Sequence, residues 1–246
     1  MHEPLISAGR GELSRMGVVV THGFTGSPES MRPWAEDLAA QGFAVNMPLL
    51  PGHGTSWQEL SQTPWQQWYT GVEAAYLELA SRCELVFAAG LSMGGALSLR
   101  LAEHHQLAGL ALVNPGLTAA DPRARFAGLL KHFVKSVPAI GNDIVKPGVE
   151  EHAYPRTPVA SVHQLNQLFR DTTAGLAKVN APTIVFRSTV DHVVPDSSLR
   201  AIQKGISSKD LRIVKLANSY HVATLDHDAP EIFAQSSAFF KEIAGV

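Results

Sequence analysis

Only one cysteine, Cys83, is present among 246 residues. No internal disulfide can form, and without a paired Cys/His spacing there is no structural zinc site, so the fold has to rest on packing. Positive charge is not in surplus either: 20 Lys and Arg stand against 22 Asp and Glu, a formal net charge of −2. Nucleic acid is recognised through a basic surplus, and it is not an expected partner. Long hydrophobic runs are missing as well. The longest, 85–91 and 107–113, are interrupted by Gly90 and Gly109, and fall well short of the roughly 20 residues that cross a bilayer. Residues 1–16 are polar and lack the apolar stretch of a secretory signal. A cytoplasmic protein without a membrane span is expected.

Several chemistries are excluded by missing motifs. There is no Gly-Lys dipeptide and hence no phosphate-binding P-loop, and Gly52-His53-Gly54 lacks the third glycine of a dinucleotide fingerprint. No HExxH is found. Neither a metal nor a cofactor is expected to take part.

What is present is alternation. Short apolar runs at 17–20, 43–45, 85–89, 109–113, 183–186 and 211–216 read as strands, mostly buried on both faces as in a parallel sheet. Helical stretches lie between and after them, at 30–41, 65–82, 93–105, 197–204 and 231–243. The order implies an α/β protein with a mostly parallel, doubly wound sheet. A chain of this length, 45% hydrophobic, suits a single domain over 1–246.

One stretch breaks the rhythm. Between the strands ending at Val113 and starting at Thr183 the connection is far longer than a βα loop needs. Within it Phe126, Leu129, Leu130, Phe133, Val134 and Val137 fall on one helical face, with Arg123, Arg125, Lys131, His132 and Lys135 opposite. This predicts an inserted helical cap at approximately 116–175; an ordinary surface helix packed on the sheet is the alternative for that helix.

Gly90-Leu91-Ser92-Met93-Gly94 follows an apolar strand and precedes a helix. In that context the glycines permit a tight turn that holds a serine hydroxyl exposed above the sheet. A serine becomes a nucleophile when an imidazole takes its proton and a carboxylate fixes that imidazole. The chain order for such a turn is Ser, acid, His. Asp191 follows the 183–186 strand and His221 the 211–216 strand, both beyond carboxyl ends, where open α/β sheets place their sites. Asp196, Asp226 and Asp228 are rival acids; Asp196 reads as a helix-start residue, and the other two follow the histidine. The oxyanion formed on attack needs two N–H donors, one from Met93 and one from the loop Thr21-His22-Gly23-Phe24, with Phe24 favoured and His22 orienting the loop. Pro51-Gly52-His53-Gly54-Thr55 reads as a structural turn on the same rim.

These motifs, with Asp191-His192-Val193-Val194-Pro195 and the segment from Ser219 to Asp226, resemble the bacterial monoacylglycerol lipases of the α/β-hydrolase superfamily. The resemblance spans nearly the whole chain, Glu150-Glu151-His152-Ala153-Tyr154 in the cap included. It implies the α/β-hydrolase fold, Ser92, Asp191 and His221 as catalytic triad, and Phe24 and Met93 as oxyanion donors. It also implies that Glu151, with Ile140 near it, contacts the glycerol hydroxyls; a carboxylate suits two vicinal hydroxyls because it accepts from both. The substrate expected is a small lipid ester, a monoacylglycerol split to fatty acid and glycerol through an acyl-enzyme, with at most transient contact with a lipid interface. A broad-specificity carboxylesterase is the alternative, and a non-catalytic ligand-binding protein on the same fold is the reading from another class.

Overall fold

The apolar runs lie side by side in one seven-stranded sheet. The computed structural model describes residues 3–139 and 141–246. In chain order the elements are β1 (Leu5–Ser7), β2 (Met16–Thr21), α1 (Arg32–Gln41), β3 (Ala44–Met47), α2 (Trp57–Leu60), α3 (Trp65–Ala80), β4 (Leu85–Leu91), α4 (Met93–His104) and β5 (Gly109–Val113). There follow α5 (Ala127–Leu130), β6 (Ser136–Pro138), β7 (Arg156–Pro158), α6 (Val159–Gly175), β8 (Thr183–Ser188), α7 (Asp196–Gly205), β9 (Leu211–Leu216) and α8 (Ala229–Ala244). The sheet order is β1-β3-β2-β4-β5-β8-β9, and β6 and β7 form a separate pair. All pairings in the large sheet are parallel except that of β1, which lies antiparallel to β3 with Leu5 opposite Met47.

Both faces of the sheet are covered, which is why its central strands read as unbroken apolar runs. Val18 and Val20 of β2 bury against Trp34 and Leu38 of α1 and Phe240 of α8, whereas Val19 points to the opposite cluster with Trp68 and Leu79 of α3 and Leu97 of α4. β4 alternates in the same way, Phe87 and Ala89 to the first cluster and Ala88 to the second. Each large side chain buried like this contributes roughly 1.5–3 kcal/mol, so β2 and β4 anchor the middle of the sheet, beside the turn that carries Ser92.

Within the inserted segment, residues 126–137 depart from the single amphipathic helix expected for them. A 3-10 turn at Pro122–Phe126 runs into α5, which stops at Leu130, and β6 then pairs antiparallel with β7, Val137 opposite Thr157. The causes are local. Gly128 weakens the helix, α5 has no side-chain N-cap, Pro138 cannot continue a helix, and Val134-Lys135-Ser136-Val137 alternates with the period of a strand. Nor is the apolar face buried: Phe126 is 50%, Leu129 64% and Phe133 79% exposed.

The long helix of this segment is α6, for which the sequence reading held no expectation. Val159, Val162, Leu165 and Phe169 are spaced for one face, but Ser161, His163, Gln164, Asn166 and Gln167 between them dilute the pattern. α6 packs across α3 and α4, so the inserted segment is tied to the helix that starts at the serine turn. Among the described residues no helix is long and apolar enough to cross a membrane.

Candidate active site

β4 ends at Leu91 and α4 begins at Met93, leaving Ser92 alone to make the turn. Its backbone sits at φ 56°, ψ −116°, a conformation that costs a residue with a Cβ of order 1–3 kcal/mol and persists only where the surroundings enforce it. The enforcement is visible. A Cβ on Gly94 would collide with the Thr21 carbonyl, and one on Gly90 with the Gly94 backbone. The Ser92 N–H donates to the Val113 carbonyl at 3.0 Å, and the Ser92 carbonyl accepts from Gly116 N–H at 3.1 Å.

Asp191 lies in the loop after β8 with its carboxylate fully buried. One oxygen accepts from the Val193 and Val194 N–H groups at 2.9 and 2.8 Å. The carboxylate also lies 3.1 Å from His221 Nδ1, in the loop after β9. Burial alone would raise its pKa; the hydrogen bond and charge of His221, with the two backbone N–H groups, outweigh this and hold it below the ordinary aspartate range. The rival carboxylates are engaged elsewhere. Asp226 accepts from the N–H groups of Val145, Lys146, Tyr220 and His227, and Asp228 from the backbone and side chain of Asn218. Asp196, at the start of α7, pairs with Arg187 at 3.0 Å.

Phe24 lies in the loop after β2, whose neighbours Gly23 and Thr25 also line the cavity. Met93 opens α4, and the first N–H groups of a helix have no intrahelical acceptor. His22 is fully buried. Its Nε2 accepts from Leu50 N–H at 3.3 Å, so Nδ1 carries the proton and donates to the Gly23 carbonyl at 3.0 Å. Burial lowers the His22 pKa to about 4, which keeps the ring neutral and this bonding fixed. The Pro51 to Thr55 turn is held by Tyr154, whose hydroxyl donates to the Gly52 carbonyl and accepts from Thr55 N–H, both at 2.8 Å.

Ser92, His221 and Glu151 line one cavity of about 540 Å³. Most of its wall is apolar: Leu130, Val134 and Val137, Val159, Val162, Leu165 and Phe169 from α6, and Val193 and Val222. Glu151 forms part of its polar wall. Its backbone N–H donates to Asn142 Oδ1 at 2.8 Å, and Gly26 leaves room for its carboxylate, since a Cβ there would lie 3.0 Å from Glu151 Oε1. Burial raises the Glu151 pKa, opposed by the charge of His221. Ile140 lies outside the described residues.

Three residues around this site were missed by the sequence reading. Asn114, with φ 43° just after β5, donates to Ser188 Oγ at 2.9 Å and to the His221 carbonyl at 2.8 Å, so it ties the loop after β9 to β8. Asp143 accepts from His221 N–H at 3.1 Å and lies 2.7 Å from His192 Nδ1. Arg187 contacts Asp191 at 2.6 Å. Only Arg187 left a signal, a charge near the end of an otherwise uncharged strand and four residues before the expected acid.

The family described as serine aminopeptidase, S33, matches residues 14–228. A thermostable monoacylglycerol lipase from Bacillus sp. (strain H-257) is 44% identical over 233 residues, 94% of this chain and 92% of that protein. A carboxylesterase from Bacillus subtilis (strain 168) is 25% identical over 227 residues, 92% of each. A solved structure from work on the metagenome-derived lipolytic enzymes LipS and LipT superposes with a TM-score of 0.93 at 39% identity, covering 98% of both chains.

Proposed function

The chain belongs to the family described as serine aminopeptidase, S33, with an α/β-hydrolase fold, and from that membership we propose that it hydrolyses monoacylglycerols to fatty acid and glycerol. The observation that carries this reading is the make-up of the cavity: a mostly apolar wall for an acyl chain, Ser92 and His221 in its lining, and the partly buried Glu151 for a polyhydroxylic headgroup. The relatives named as monoacylglycerol lipase and carboxylesterase are both carboxylic ester hydrolases.

Ser92 Oγ attacks the ester carbonyl while His221 Nε2 takes its proton. Asp191, bonded to Nδ1, holds the ring in that tautomer and balances the imidazolium. The N–H groups of Phe24 and Met93 receive the developing oxyanion, a contribution of about 3–4 kcal/mol per donor in comparable hydrolases. Glycerol leaves with the proton from His221, water enters, and the same base activates it to free the fatty acid. Glu151 accepts from the two free hydroxyls. No metal or cofactor is assigned a role.

Residues 116–175 form a cap over the acyl chain. The exposed Phe126, Leu129 and Phe133 are its outer apolar surface, next to Leu130, Val134 and Val137 of the cavity wall, and make transient contact with the lipid that delivers the substrate. A cytoplasmic location suits a chain whose single cysteine is unpaired.

The test is a panel of glycerol, methyl and nitrophenyl esters of one acyl length, assayed below their aggregation limits. A kcat/KM preference of tenfold or more for the glycerol ester over the methyl ester is expected. Indifference to the alcohol would put the broad carboxylesterase reading in its place, and absence of turnover on all three would leave a ligand-binding protein.

A further inference from the structure

Arg187 stands at the end of β8, 8% exposed, after the uncharged run Thr183-Ile184-Val185-Phe186. Burying a guanidinium is costly unless its donors are met, and here they are. Nη1 donates to Asp191 Oδ2 at 2.6 Å, Nη2 to the Val194 carbonyl at 2.7 Å and to Asp196 Oδ1 at 3.0 Å, and Nε to the same Asp196 oxygen at 3.3 Å. Arg187 shares Asp191 Oδ2 with His221 Nδ1, which lies 3.1 Å from Oδ2 and equally from Oδ1.

Orientation of Asp191 does not require this cation, since two backbone N–H groups and His221 already hold the carboxylate. Its consequence is electrostatic. When His221 is protonated, its positive charge meets Asp191 and, on the same carboxylate oxygen, a second positive charge. We propose that Arg187, with Asp196 as its counter-charge, is a positioning pair that weakens the support Asp191 gives to protonated His221 and thereby sets the lower pH limit of ester turnover. This rests on the triad reading above.

The other charged or titratable groups around these residues are few. From the inserted segment come Glu151, whose charge is coupled to that of His221, and Asp143, which accepts from His221 N–H. His192, in the loop of the acid, is paired with Asp143. Asp196 is largely exposed, at 69% of its side chain, so solvent screens it and it offsets Arg187 only in part. With an effective dielectric near 20, a buried cation several ångströms from the catalytic base should displace the acid limb of turnover by about one to two pH units, and partial compensation leaves about one.

The experiment is the pH profile of kcat/KM on a water-soluble short-chain ester, with kcat and KM resolved. Arg187→Met should move the acid limb up by about one pH unit with KM within about twofold, and Arg187→Lys, which keeps the charge, should restore it. Asp196→Asn, a change at an exposed helix start that spares the buried packing, should move the limb the other way by up to about half a unit. Acid limbs that coincide in all variants, or that move the same way in Arg187→Met and Asp196→Asn, overturn the proposal. So does a loss of kcat in Arg187→Met at every pH with an unmoved limb, which makes Arg187 a packing residue. Asp191→Asn separates the two levels: turnover that survives it removes the triad reading itself, whereas its loss beside unmoved limbs removes only this inference.

Discussion

Replacing Glu151 by glutamine keeps the shape of the cavity wall and removes one negative charge. The two free hydroxyls of a bound monoacylglycerol would then lose charge-assisted acceptors, worth roughly 1.5–3 kcal/mol together, or about ten- to a hundredfold in kcat/KM. A methyl ester of the same acyl chain has no hydroxyls there and should change by no more than about threefold. The same substitution has a stability signature. The Glu151 pKa is raised by burial, so the folded state disfavours the ionised form. The penalty is absent below the unfolded pKa and fully present above the raised folded one. Glu151→Gln should therefore unfold at higher temperature than the wild type at pH 8 and at nearly the same temperature at pH 4. The paired assay is initial rates on both esters below their aggregation limits, beside melting curves at the two pH values. Equal losses on both esters, or none on either, would refute a headgroup contact. A stability gain without a change in headgroup preference would make Glu151 a buried charge with no part in recognition.

Ser92→Ala should stay folded by circular dichroism and lose ester turnover by several orders of magnitude, and Asp191→Asn should do likewise, whereas Asp196→Asn should retain turnover within about tenfold on its plateau; near wild-type rates in Asp191→Asn would mean that another carboxylate serves His221. Leu129→Ser with Phe133→Ser removes two exposed apolar side chains that do not line the cavity, and should cut partition onto lipid vesicles by about a hundredfold while leaving turnover of a soluble ester unchanged; equal partition of variant and wild type in a vesicle sedimentation assay would count against interfacial contact. Glu103 at the end of α4 has its side chain fully buried, paired with Arg100 at 2.6 Å. Its pKa is pushed up to about 7 by burial, against the pull of Arg100. Stability should thus fall by on the order of 2 kcal/mol as pH rises from about 5 through 7, and denaturant melts of Glu103→Gln should lack this slope.

The legible part of the fold was the part whose packing partners lie on both faces. The runs at 85–89, 109–113 and 183–186 are buried on either side, so their composition alone marks them, and the observed β4, β5 and β8 start at the expected residues and end where or shortly after the runs do. The inserted segment is different because its residues answer to two masters, a cavity and the outside. Phe126, Leu129 and Phe133 recur at helical spacing without being buried, and Val134 and Val137 turn into a strand and its approach because β7 offers a pairing partner that local sequence does not announce. β1 was invisible for a related reason: three residues long, it is held by β3 and not by a hydrophobic pattern of its own.

The site divides along the same line. Ser92 announces itself because the turn that strains it needs glycines at fixed offsets, and those offsets are local in sequence. Asp191 and His221 follow from chain order, since each comes after a strand that can be read. Arg187 pairs with a residue only four positions on, but Asn114 and Asp143 act through residues distant in sequence: Asn114 bonds to the loop of His221, and Asp143 reaches across from the inserted segment to the same loop. No local pattern encodes such pairings, because asparagine after a strand or aspartate in a loop is satisfied by many partners. What distinguishes these three is that each spends its polar atoms on a loop that carries the chemistry. The proposed triad can be read from the chain, whereas the polar groups bonded around it appear only once the chain is folded. A comparison of sequences that scored only the triad would therefore treat Arg187 as free to vary, although its replacement is expected to change the pH at which the same triad works.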